Sequence, residues 1–282
     1  MTKAIQQIML GTVTKNEKQA AESLKRIKAA GYDGIELNGF MIKPTSFLVR
    51  MLTKAAGMPV GKGGNYDWNA LVKEAGLVVT SIHEDLGTIK REPETVIREA
   101  EKFGTKYVVI TGMYRFDYPD KNAVLGLCQD LNASGKILKE AGVEILYHNH
   151  NCEFLKVEPG KTAYDLILSE TDASCVNFEL DSYWPAEAGV NVLELMRKLD
   201  TRMKLYHIND RGTRLSKPAM TPILKSDSME LGYGNMDLVS MVTQAQKVKV
   251  DAVILESHKN WVDNSPLKSM ELSAEFMNQY IR

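Results

Sequence analysis

Cysteine is scarce in this chain: Cys128, Cys152 and Cys175 are the only three, odd in number and widely spaced. They form no CxxC pair and no disulfide framework, which favours a reducing compartment and, for the chain as given, the cytoplasm. An excess of charge is missing too. Thirty-five Lys and Arg against 36 Asp and Glu leave a net charge of −1, so no global field draws the molecule to nucleic acid or to an anionic membrane. No apolar run approaches the length of a membrane span. The first ten residues, MTKAIQQIML, lack the uninterrupted apolar core of a signal peptide. Glycine clusters once, in GKGG at 61–64. That stretch lacks the spacing and the Ser or Thr of a phosphate-binding loop, and no clear strand runs into it. It reads as part of a loop, 57–65, near a binding site, since long loops in compact domains often carry function.

What remains is ordinary for a globular protein: 44% hydrophobic and 25% charged residues in 282, enough apolar mass for a full core. The length suits one large α/β barrel or two smaller domains. Apolar runs alternate with helix-period segments throughout. The strands are expected at 5–10, 32–38, 77–82, 107–112, 143–146, 176–181, 203–207 and 252–256. Between and after them the spacing predicts helices at 15–30, 46–56, 68–75, 93–103, 121–141, 162–169, 192–199, 236–248 and 266–281. Gly31, Gly104 and Gly142 stand where helices stop. Eight strand–helix repeats with no leftover segment predict an α/β protein: a single (β/α)₈ TIM barrel across 1–282. A doubly wound open sheet is the alternative. It would need a reversal of strand order and usually a Gly-rich first turn, which GTVT at 11–14 is not.

Polar residues end the apolar runs: Glu36, His83, His148, His150, Asp181, His207 and Glu256. Barrels of this kind carry their active sites at the carboxyl ends of the strands, and the amino-terminal ends offer no comparable set. The densest stretch is YHNHNCEF at 147–154. Side chains alternate along a strand, so His148 and His150 should point the same way, with Glu153 a few residues on. Two satisfied core histidines would be the bland explanation. Asp181 could merely cap a turn, and Glu256 could pair with Lys259 on the surface. The set argues otherwise. His148, Asp181, His207 and Glu256, one from each of four successive strands, suit a divalent transition metal: Mn²⁺, Co²⁺, Zn²⁺ or Fe²⁺. An all-oxygen set would have pointed to Mg²⁺ or Ca²⁺.

The stretches GYDGIEL at 31–37, YHNHNCEF at 147–154, LDSYW at 180–184, HIND at 207–210 and LGYGNMD at 231–237, with Glu256, resemble the xylose-isomerase-like TIM-barrel superfamily. The resemblance covers nearly the whole chain. This superfamily of sugar phosphate isomerases and epimerases includes ketose 3-epimerases, hydroxypyruvate isomerase, inosose dehydratase and abasic-site endonucleases. In the epimerases a metal is held by Glu, Asp, His and Glu at the ends of strands five to eight, and the two glutamates move the protons. Asp181, His207 and Glu256 match in type and place; the first position falls on His148. Either His148 is a ligand and another group is the second base, or Glu153 swings in as the ligand. The Tyr-His-Asn-His pattern is similar to the inosose-dehydratase-like branch.

The resemblance implies proton abstraction next to a carbonyl through a metal-stabilised enediolate. Glu256, or a free His150 or Glu153, would take the proton; imidazole suits that work near neutral pH. His83, Lys259 and Glu36 are candidates for substrate binding, and Trp184 could stack on a sugar face or fill the rim of the core. Reprotonation would give a sugar isomerase or epimerase; loss of a β-hydroxyl would give a keto-polyol dehydratase. No dense Arg/Lys cluster marks a phosphate site, which favours a neutral keto-sugar or polyol, although backbone amides bind phosphate as well. An abasic-site endonuclease would need three metals, more histidine than five and a basic face. A non-catalytic sugar-binding barrel would need no poised base. Loops after the strands could also serve a homo-oligomer contact.

Overall fold

An apolar run flanked by helices is buried on both faces, which suits a strand of a parallel sheet. Eight such runs do form strands in the computed structural model, which describes residues 1–44, 51, 63–111 and 113–282. They are β1 (Thr2–Gln6), β2 (Gly34–Asn38), β3 (Val78–Glu84), β4 (Tyr107–Ile110), β5 (Glu144–His148), β6 (Val176–Asp181), β7 (Met203–Ile208) and β8 (Ala252–Leu255). Each pairs in parallel with its sequence neighbours, and β8 returns to β1 over Thr2↔Ala252 to Ile5↔Leu255, closing the barrel. The open-sheet alternative is thereby excluded.

Strand alternation divides the molecule into two cores. Side chains facing outward, such as Ile35, Val108, Ile145, Phe178, Tyr206 and Val253, pack against the helices in the main apolar cluster. Inward-facing Ala4, Tyr107, Val109, Leu146, Leu205, Ala252 and Ile254 make a second, smaller cluster inside the barrel. Two residues further along the same inward faces the chemistry changes to His148, His207 and Glu256, all buried.

The helices follow the expected pattern, with local reasons for their ends. Asn16 caps the helix Glu17–Ala30 by accepting from the Gln19 amide, and Gly31 leaves it at φ 105°, a left-handed angle that glycine adopts without strain. The long helix Lys121–Glu140 is capped by Asp120, and Pro93 opens the helix Pro93–Phe103.

Four details differ from the expected elements. The first strand is Thr2–Gln6 rather than 5–10, because the Gln6 side chain accepts from the Ile8 amide and turns the chain into a 3₁₀ segment, Gln7–Leu10. The late helix is Leu238–Val248, begun by Asp237 accepting from Ser240. Short helices at Gly39–Ile42, Leu86–Arg91 and Tyr183–Glu187 follow strand ends. Two small hairpins, Lys156–Glu158 with Lys161–Thr162 and Asp210–Gly212 with Asp227–Met229, leave the same end of the barrel. The helix expected at 46–56 and most of the loop at 57–65 lie outside the described residues; Gly63–Asn65 form one 3₁₀ turn.

Candidate metal centre and the cavity above it

Parallel register decides which polar side chains meet. β6 and β7 pair Asp181 with His207, and β5 and β6 pair His148 with Glu179. β7 and β8 align His207 with Ile254, two residues before Glu256. His148, Asp181, His207 and Glu256 thereby offer ligand atoms that all lie within 4.8 Å of one another, each buried. This is the set expected from the strand ends. Two imidazoles and two carboxylates fit a divalent transition ion by ligand type and number.

Electrostatics support the same fit. Burial first, and then the neighbouring Glu256 carboxylate, push Asp181 up to about 8. Burial also raises Glu256, but His258 and His207 outweigh it and hold that carboxyl well below its usual range. A cation held between two carboxylates this close in a dry site would offset their repulsion. Asp181 also accepts from the Tyr183 amide at 2.7 Å, so the turn-capping alternative is realised by one oxygen of a residue that has a second. Glu256 accepts from His207 Nδ1 at 2.9 Å and lies 3.5 Å from His258. Lys259 instead pairs with Asp227 at 3.2 Å.

Beneath this set lies a network that the strand-end pattern missed. Glu179, fully buried, places one oxygen 2.9 Å from His148 Nδ1, 3.1 Å from His83 Nε2 and 3.2 Å from His207 Nε2. Glu36 Oε1 lies 2.6 Å from His207 Nε2 and 2.8 Å from His83 Nε2, and its other oxygen accepts from Ser81. Glu36 is therefore spent on the histidines and does not line the cavity. Burial lowers His83, yet the Glu36 and Glu179 carboxylates outweigh it and raise the ring to about 10. Burial raises Glu179, but His207 and His83 hold it well below the usual range. His83, His148, Glu179 and His207 form a second group whose candidate ligand atoms also lie within 4.8 Å of one another. The upper group is the one that carries both Asp181 and Glu256, the crowded carboxylates.

Glu153 does not join either group. Its oxygens accept from Tyr147 OH at 2.9 Å, the His150 amide at 2.9 Å and Cys152 Sγ at 3.2 Å. It braces the turn after β5, bonded to Tyr147 of that strand and to His150 and Cys152 of the turn, so in this structure it stands apart from the four metal-site residues, where the expected ligand or base role would have placed it. His150 takes the other course. Its ring stands 5.1 Å from His148 and 5.5 Å from Trp184, and burial, then His148, lower it to about 3. It is a neutral imidazole on the cavity wall.

The cavity above the cluster has a volume of about 1320 Å³, and His83, His148, His150, Trp184, Glu256 and Lys259 all line it. Phe40, from the short helix after β2, and the loop residues Tyr114, His258 and Trp261 line it too; they belong to no long periodic segment and carry no such signal in the sequence. Glu179 was findable, since it stands two residues before Asp181 and strand residues i and i+2 share a face. Among the described residues, no helix is long and apolar enough to cross a membrane.

Residues 24–280 match the model of the xylose isomerase-like TIM barrel family. The chain belongs to that family. No curated protein matches it in sequence. Among solved structures it is similar to a sugar phosphate isomerase/epimerase from Parabacteroides distasonis, at 22% identity and a TM-score of 0.74, covering 98% of this chain and 93% of that one. It is also similar to the probable 3-DHS dehydratase AsbF from Bacillus anthracis, at 13% identity and TM-score 0.68, with 99% of each chain covered. A third similar structure is the IOLI protein with a binding zinc atom, at 15% identity and TM-score 0.67, covering 100% of this chain and 99% of that one. At these identities the structural likeness speaks for the barrel alone.

Proposed function

We propose that the chain is a divalent-metal-dependent sugar isomerase or epimerase, acting in the cytoplasm as one barrel domain on a small keto-sugar. The observation that carries this reading is the convergence of His148, Asp181, His207 and Glu256 within 4.8 Å, below a cavity large enough for a sugar. An ion of the Mn²⁺, Co²⁺, Zn²⁺ or Fe²⁺ class held there would supply Lewis-acid polarisation of a substrate carbonyl. The chain's own groups do the rest. Glu256, a carboxylate on the cavity wall, takes the proton from the carbon next to the carbonyl. His150, neutral and with no side-chain carboxylate hydrogen bond among the described residues, is the second proton carrier. Trp184 offers an apolar face to the sugar's C–H groups. Lys259 lines the cavity and holds a substrate hydroxyl; His83 also lines it, but its Nδ1 is on Thr111 at 3.0 Å and its Nε2 on the two buried glutamates, so it shapes the wall. The IOLI structure's zinc agrees with the ligand chemistry.

A second reading, loss of water from a keto-polyol, rests on one specific observation. Of the clustered glutamates Glu256 borders the cavity, and His150 on the same wall, the further proton carrier proposed above, is an imidazole rather than a carboxylate. An imidazole that has taken up a proton can deliver it to a leaving hydroxyl.

Metal analysis tests both. Protein purified without chelator is expected to carry about one divalent transition ion per chain, lost in folded Asp181→Ala and His207→Ala. Keto-sugars in D₂O would then show metal-dependent deuterium uptake by NMR, and the products would separate an epimer from a dehydrated enone. Folded wild-type protein that takes up no ion after Mn²⁺, Co²⁺ and Zn²⁺ loading would end the metalloenzyme reading.

A further inference from the structure

A histidine ligand binds through one nitrogen, and the group on the other nitrogen sets its tautomer and ring angle. His148 has its Nδ1 on Glu179 at 2.9 Å, a contact dictated by the strand register His148↔Glu179. Nε2 is the nitrogen left for a cation. His207 is engaged at both nitrogens: Nε2 faces Glu179 at 3.2 Å and Glu36 at 2.6 Å, and Nδ1 lies 2.9 Å from Glu256, itself one of the four metal-site residues. The two imidazoles differ in one respect. His207 rests on three carboxylates, Glu36, Glu179 and Glu256, whereas His148 Nδ1 rests on Glu179. The other Glu179 oxygen is buried with no hydrogen-bond partner. The carboxylate is thus retained in the barrel interior although half of its acceptor capacity goes unused, a cost that packing alone does not justify.

We propose that Glu179 is a positioning residue for the metal centre: a buried carboxylate that fixes the His148 imidazole so that Nε2 faces the ion, with a lesser share in orienting His207. The inference rests on the metal-centre reading above. Glu179 is not itself a ligand in this scheme. It supplies the outer half of a carboxylate–histidine–metal arrangement, raising the donor strength of the ring as well as aiming it.

The test is a metal-affinity cycle, read by competition titration of Zn²⁺ and by the visible spectrum of the Co²⁺-loaded protein. Glu179→Gln keeps size and shape but removes the charge. It is expected to weaken affinity by roughly tenfold to a hundredfold while still binding one ion, with an altered Co²⁺ spectrum. In a His148→Glu background there is no ring at 148 to orient, so Glu179→Gln should then change affinity by less than about threefold. A folding burden would act alike in both backgrounds; Glu230→Gln, a buried carboxylate bonded to Ser269 and Arg214, should lower the melting temperature without moving the Co²⁺ spectrum. Equal losses in both backgrounds, or complete loss of binding as for a direct ligand, would overturn the proposal. So would an unchanged affinity and Co²⁺ spectrum in Glu179→Gln, a measurement that stands even where His148→Glu does not fold. If wild-type protein binds no ion, the metal-centre reading falls and this inference falls with it. If wild type binds and only the cycle fails, the metal reading survives.

Discussion

The inside of the barrel holds two layers that are equally dry and opposite in chemistry. In the lower one, Ala4, Val109, Leu146, Leu205 and Ile254 are all 0% exposed. In the upper one, Glu36, Glu179 and His207 are also 0% exposed, and Asp181 and His148 2%. Removing water stabilises the lower layer, at about 25 cal/mol for each Å² of apolar surface. The same removal penalises the upper layer, and mutual pairing of imidazoles with carboxylates offsets only part of it. One layer holds the barrel shut; the other costs stability, which a cation bound as proposed above would offset. The two should therefore respond oppositely to mutation.

The largest expected effect is in the upper layer. Glu256→Gln should lower metal-dependent deuterium uptake into a turned-over keto-sugar by roughly 10²- to 10⁴-fold, with the melting temperature little changed; NMR in D₂O and a thermal scan read both. Next comes the lower layer. Leu205→Ala should cost about 2–5 kcal/mol of stability in chemical denaturation while leaving one ion per chain. A Leu205→Ala protein that lost its metal yet kept its stability would erase the division between the layers.

A pH series sharpens the same contrast. Asp181 is raised to about 8 without an ion, and only its carboxylate binds a cation. Proton and metal therefore compete. Below about pH 8 the apparent affinity should fall roughly tenfold per unit for this one proton, and above pH 8 this dependence should level off. Calorimetric titration in buffers of different ionisation enthalpy would count the protons released. Leu205 carries no titratable group, so the Leu205→Ala protein should stay on the same pH curve. The smallest effect belongs to the cavity rim: Trp184→Ala should raise KM by less than about tenfold, the size of one aromatic–sugar contact, with metal affinity unmoved.

A further structural contrast lies in the loops above the barrel. Asp210 accepts from the amides of Gly232, Gly234 and Met236 at 2.9–3.1 Å, tying the two sides of the 210–236 excursion together. A Cβ at Gly234 would collide with the Asp210 carboxylate. HIND and LGYGNMD were noticed as motifs, but the clasp between them crosses more than twenty residues of sequence and could not be read from either.

Strand and helix periods, helix caps and the concentration of His, Asp and Glu at strand ends were properties of local sequence. They were enough for the barrel and for the four residues His148, Asp181, His207 and Glu256, because a side chain's face on a strand follows from alternation alone. The choice between His148 and Glu153 was not local. Both lie within one turn, and it took the packing of Tyr147 and the His150 amide around Glu153 to remove it from the centre. Nor was the role of Glu179 local. Its meaning comes from the pairing of β5 with β6 and from His83 and His207 arriving across the barrel. Periodicity says which way a side chain points; closure of the sheet brings Glu36 and His207, 171 positions apart, to a single hydrogen bond, and that is a property of the assembled chain.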